Sequence, residues 1–173
     1  MSIKKLNRRL FIASTGAAAA IGSIGPGFLI AADGAWAMSL TKLDNPSAQT
    51  LLRMARDTYP HDSVDDGPYA KVVEKLDQEA AKDPKTAQLL VEGVGSLNSA
   101  AGGSYVAMSE VKRVEILTSM QGNAFFQKVR GSMITTFYND PTVWKKLGYQ
   151  GSSAEFGGYL HRGFNDITWL PKA

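Results

Sequence analysis

The stretch from Gly122 to Gly148, GNAFFQKVRGSMITTFYNDPTVWKKLG, carries the strongest amphipathic signal in the chain. Phe125, Phe126, Val129, Met133, Ile134, Phe137 and Tyr138 recur at spacings that gather them on one side of an α-helix. Gly122-Asn123 separates this segment from what precedes it. Asp140-Pro141 then joins a capping acceptor to a residue whose missing N–H is harmless in a first helical turn. A short helix through Trp144 and Leu147 follows, and Gly148 ends it.

The same punctuation recurs upstream. Asn45-Pro46 reads as a cap and proline opening a helix with Leu51, Leu52, Ala55, Thr58 and Tyr59 at helical spacing, and Pro60 stops it. His61 to Gly67 is a polar, acidic loop. Pro68 restarts a helix with Tyr69, Val72, Val73, Leu76 and Ala80 along one face. Asp83-Pro84 opens another, carrying Ala87, Leu90, Val91, Val94 and Leu97. Gly93 and Gly95 weaken that helix by about 1 kcal/mol each, which predicts close packing or a bend there. Ala101-Gly102-Gly103 breaks the chain, and Ser109 caps a helix with Val114, Leu117 and Met120. No run alternates with period two and no repeat is visible. The expected fold is all-α: an irregular helical bundle over residues 38–148, with an extended C-terminal tail over 149–173.

That tail combines Gly151, Gly157, Gly158 and Gly163 with Tyr149, Phe156, Tyr159, Phe164 and Trp169. The glycines disfavour a regular helix, while the aromatic content is too high for a solvated linker. Two readings stay open: the rings pack on their own bundle, or they anchor a partner.

Residues 1–37 read as an address. Lys4, Lys5, Arg8 and Arg9 precede Leu10, Phe11 and Ile12, and an Ala- and Gly-rich apolar stretch runs to about Ala32. Arg8-Arg9 with Phe11 matches the twin-arginine export pattern, with Asn7 standing where Ser or Thr is commoner. Ala35 and Ala37 occupy the two small-residue positions of a signal-peptidase site, which predicts cleavage before Met38 and a periplasmic mature chain. The alternative is an uncut membrane anchor; the stretch approaches the ~20 residues needed to span, although Gly25-Pro26-Gly27 weakens it near its end.

Charge follows this division. Of 19 basic and 16 acidic residues, four basic and one acidic lie before position 38, so the remaining 136 residues carry 15 of each sign. A surface without positive bias argues against nucleic acid as the main partner. The chain has no cysteine, which excludes disulfides, thiolate metal sites and cysteine nucleophiles. A core of this size can bury roughly two-thirds of the unfolded surface without such staples.

Chemical motifs are sparse. Gly93-Val94-Gly95-Ser96-Leu97-Asn98 lacks the last glycine of a dinucleotide turn and lies in a helical pattern, which points to a helix contact. Asp62, Asp66 and Gly67 fall at calcium-loop positions, but Val64 and Val73 stand where ligands are required. His61 and His161 have no second ligand at helical spacing, and no Gly-x-Ser-x-Gly elbow occurs. The expectation is a chain with no catalytic, cofactor or metal residues of its own; the alternative is a stand-alone periplasmic enzyme or ligand-binding protein using His61 or His161.

Two groups of residues resemble one family. Asp57-Thr58-Tyr59-Pro60-His61-Asp62 is similar to an early Asp-x-x-Pro segment of the gluconate 2-dehydrogenase subunit 3 family. Phe125-Phe126, Thr136-Phe137-Tyr138-Asn139-Asp140-Pro141 and Trp144-Lys145-Lys146-Leu147-Gly148-Tyr149 resemble its paired Phe, Phe-Tyr-x-Asp-Pro and Trp-Lys-x-Leu-Gly-Tyr run in order. Thr142-Val143 departs from a Gly-Gly pair common in members, which favours a helical link here. The resemblance implies a small accessory subunit that folds with and co-exports a glucose–methanol–choline type dehydrogenase. FAD would be held by that large subunit, and haem c by a possible third, membrane-bound cytochrome subunit. The twin-arginine translocase would be a transient partner, and the outer face of the inner membrane the final location. Aromatic and arginine anchoring then designates Trp144, Tyr149, Phe156, Tyr159, His161, Arg162, Phe164 and Trp169 as contacts to the large subunit.

Overall fold

Aspartates start most of the helices in this computed structural model, which describes residues 21–23, 28–31, 37–161, 163 and 164. Asp44 caps α1 (Asn45–Thr58), its carboxylate accepting the Ser47 N–H at 2.9 Å. The cap is therefore one residue earlier than Asn45, because Asp44 has the extended backbone that an N-cap requires. Asp65 caps α2 (Asp66–Lys82) through the Gly67 N–H, so this helix begins two residues before Pro68. Pro68 fits because the first-turn N–H groups have no helical acceptor. Asp83 caps α3 (Pro84–Ala100) as expected, receiving the N–H groups of Lys85 and Thr86.

Ser109 precedes α4 (Glu110–Ser119) without a side-chain cap bond, and Asn123 caps α5 (Ala124–Ser132) through the Phe125 N–H. Helix α5 runs into a π-helical turn, Met133–Phe137, closed by the Tyr138 N–H on the Met133 carbonyl at 3.3 Å. Met133 and Phe137 are buried while Ile134 is 46% exposed, so the turn takes Ile134 off the stripe that spacing assigned to it. Val91 and Val114 are likewise exposed. Asp140 caps α6 (Pro141–Leu147), and Gly148 ends it in the left-handed conformation at φ 77°.

Helix α2 is central: it packs against α1, α3, α5 and the π-turn. The core joins Leu51 and Met54 of α1, Tyr69, Val73 and Leu76 of α2, Leu90 and Leu97 of α3, and Phe125, Val129, Met133 and Phe137. Gly93 allows α3 and α5 to approach; a Cβ there would lie 2.1 Å from the Phe125 ring. Gly95 has open space beside it, so only one of the pair serves packing.

The body is helical, but three short antiparallel strands precede it: β1 (Ile21–Ser23), β2 (Phe28–Ala31) and β3 (Ala37–Ser39), in the order β1-β2-β3. The all-α expectation holds for the described body, and these strands are a small addition ahead of it. Short apolar runs broken by Gly25-Pro26-Gly27 disfavour a long helix and leave segments whose backbone groups pair across strands. Strand β3 crosses the expected junction between residues 37 and 38 and packs on α2, with Met38 only 1% exposed.

Candidate functional site: an aromatic junction and the tail that leaves it

The end of α1 and the π-turn meet although their sequences are distant. Tyr59 follows the last residue of α1, and Pro60 prevents continuation, so the chain turns outward at His61. His61 Nε2 lies 2.8 Å from the Tyr138 hydroxyl, across 77 positions of sequence. The His61 ring stacks on Phe137 at 5.6 Å and 11°, and Tyr59 meets Tyr138 edge-on at 5.5 Å. Beneath them the buried Tyr69 ring packs on Phe137 at 4.4 Å and donates its hydroxyl to the Tyr59 carbonyl at 2.7 Å. Arg56 lies over the Tyr69 ring at 5.1 Å and pairs with Asp66 at 3.1 Å, tying α1 to the first turn of α2.

Burial, reinforced by Tyr59, raises the Tyr138 pKa above the ordinary tyrosine range. The neutral hydroxyl can both donate and accept, so it pairs with His61 Nε2 in either ring tautomer. This arrangement orders the two rings against each other.

A second layer fixes the chain after the π-turn. Burial alone would raise the Asp140 pKa, but hydrogen bonds from Lys71 and Thr142 bring it below the usual carboxylate value. Asp140 meets Lys71 Nζ at 2.5 Å and caps α6 through the Thr142 N–H at 2.7 Å. The Trp144 indole donates to the Tyr138 carbonyl at 2.6 Å. After Gly148 reverses the chain, Tyr149 packs edge-on against Trp144 at 5.4 Å and its N–H reaches the Trp144 carbonyl at 2.8 Å. Gly151 sits beside the Trp144 ring at φ 94°, a left-handed backbone conformation that suits a residue without a side chain.

Among the expected contact residues, Trp144 and Tyr149 are thus brought together on the body. Tyr149, Phe156, Tyr159 and Phe164 are between 51% and 78% exposed, with Leu160 within that range and His161 also exposed. A 3₁₀ turn, Ser153–Phe156, and left-handed Gly157 and Gly158 keep this segment irregular. Arg162 and Trp169, and the export-signal residues Arg8, Arg9, Phe11 and Ala35, lie outside the described residues; Ala37 is the first residue of β3.

Spacing missed a buried polar triad on the other side of α1. Asp57 receives Arg113 Nε at 2.7 Å, Arg113 Nη2 at 3.0 Å and the Tyr105 hydroxyl at 2.8 Å. Arg113 also donates to the Met108 carbonyl, and the fully buried Tyr105 ring plugs the 101–108 loop onto the helices. The Arg113 pKa is raised by its hydrogen bond to Asp57, and that of Tyr105 by burial and then by the same carboxylate. Asp57 of the resemblance is thereby a structural anion. A large ring directly after Gly102-Gly103-Ser104 was the available signal; nothing in the pattern of α4 marks Arg113.

In comparisons with known proteins, no family model matches the chain, and no curated protein or solved structure matches it significantly.

Proposed function

We propose that this chain is a non-catalytic accessory subunit that folds with, stabilises and co-exports a periplasmic FAD-dependent dehydrogenase of the glucose–methanol–choline type, which passes electrons to a c-type cytochrome. The observation that carries this reading is the junction itself. The segments that resemble the small-subunit family, residues 57–62 and 136–149, form one packed unit in which Tyr59, His61, Phe137, Tyr138, Asp140 and Trp144 hold each other. The two segments that carry the resemblance are thus in contact with one another in this chain. From this scaffold emerges a tail in which Tyr149, Phe156, Tyr159, Leu160 and Phe164 are exposed. Exposed aromatics on an irregular segment are the residue types that anchor interfaces.

The twin-arginine reading of residues 1–37 adds a reason for a companion. That route carries folded cargo, and a chain whose His61, Asp57, Asp77 and Asp140 are each engaged in structural contacts is suited to escort a cofactor-bearing protein. The test is affinity purification of the tagged chain from periplasm. A larger protein with flavin absorbance is expected to co-purify in fixed ratio. Recovery of this chain alone, or with a flavin or metal bound to itself, would overturn the proposal.

A further inference from the structure

Helix α2 carries Asp77 on its apolar stripe, in line with Val73 and Ala80, where a carboxylate is otherwise costly. Asp77 is fully buried. Its two oxygens accept three successive backbone N–H groups: Thr41 at 2.6 Å, Lys42 at 2.8 Å and Leu43 at 2.7 Å. On either side of this clamp, Met38 and Leu43 are inserted into the core. Ser39 N–H additionally faces Glu74 Oε1 at 3.5 Å. Residues 37–43 are therefore a strap held to α2 by one carboxylate and two apolar anchors.

We infer that Asp77 is a latch controlling proteolytic access to the Ala37–Met38 peptide bond, so that a protease reaches this bond only after the strap lifts from α2. A protease must draw several residues of extended backbone into its own cleft. Here Ala37 is paired with Ile30 and Met38 with Leu29, and the Met38 side chain is in the core. Hydrolysis adds water across the bond, leaving a carboxylate on Ala37 and an ammonium on Met38. The clamp on Thr41 to Leu43 lies beyond the cut and keeps the new terminus on the body, next to Glu74. Processing in this scheme follows local release of the strap from α2, which a body exported in its folded state undergoes without unfolding its helices. The identity of the physiological protease rests on the signal reading above; the latch does not.

The full-length chain, its Asp77→Asn variant and its Thr41→Pro variant would each be treated with purified signal peptidase and, separately, with thermolysin. New termini are mapped by mass spectrometry while circular dichroism follows the helices. Losing charge-assisted bonds from the clamp is expected to speed cleavage within residues 37–44 by roughly tenfold or more in both variants. Equal rates in wild type and in a folded variant overturn the latch. If Asp77→Asn loses its helices, Thr41→Pro decides, since it removes one donor without altering α2. Faster thermolysin cleavage with no signal-peptidase product would keep the latch and reject the junction as an export-signal site.

Discussion

At the scale of single residues, stability depends on a few positions where shape or charge leaves no alternative. Gly93 faces the buried Phe125 ring, and a methyl group there must push that ring out of a filled core. Gly93→Ala is expected to destabilise by about 1–3 kcal/mol despite its better helix propensity, read as a fall in thermal midpoint, whereas Gly95→Ala should be neutral or stabilising. The Asp57–Arg113 pair has side chains only 5% and 9% exposed. Asp57→Ala strands a buried guanidinium and should cost on the order of 3 kcal/mol, while the double variant Asp57→Leu/Arg113→Met should recover most of that loss. Denaturant titration of the wild type and the two variants distinguishes a stranded charge from a simple loss of packing: a double variant no more stable than Asp57→Ala would contradict this account.

At the scale of elements, the recurrent device is an aspartate at a helix start. Asp140 does two things there, capping α6 and pairing with Lys71. Lys71 is 58% exposed, so the pair adds little and the cap dominates. Asp140→Ala is expected to cost about 1 kcal/mol, and Asp140→Asn or Ser should restore part of it. Helix starts of this kind were legible because a cap and its proline are neighbours in sequence, and the errors at α1 and α2 are of one or two residues. The π-turn was not legible. One extra residue in a helix leaves the composition unchanged, and only the burial of Phe137 beside the exposed Ile134 reveals it. The strap was hidden for a similar reason, although Asp77 among Val73, Leu76 and Ala80 was a visible anomaly.

At the scale of the whole molecule, burial makes the fold sensitive to base. Tyr69, Tyr105 and Tyr138 have pKa values raised above 10.0, with burial as the leading cause in each. The unfolded chain ionises its tyrosines near the ordinary value, whereas the folded chain holds these three neutral. The stability they contribute is complete below that value and is lost as pH rises from it toward the folded values. Alkaline unfolding should begin as pH passes about 10, with tyrosinate absorbance appearing together with the loss of helical signal. Absorbance rising fully before the helices melt would contradict this coupling. The tail is a second molecular-scale test. Removing residues 152–173 spares Gly151 and its contact with Trp144, so the helical signal should persist while co-purification of the flavoprotein is abolished. Loss of the helical signal would mean that the tail is core.

The chain by itself determined the helical character of the body, the places where most helices start and stop, the irregular aromatic tail and the residues that carry the family resemblance. Each of these depends on interactions within a few residues: a side chain capping its own helix, a proline blocking the next turn, apolar groups repeating with the helical period. Only the tertiary structure decided that His61 meets Tyr138, that Asp57 neutralises Arg113, and that Asp77 grips the strap. Those pairs are separated by 77, 56 and 34 positions. Their energies come from removing polar groups and rings from water together, a condition that exists only once the helices have packed.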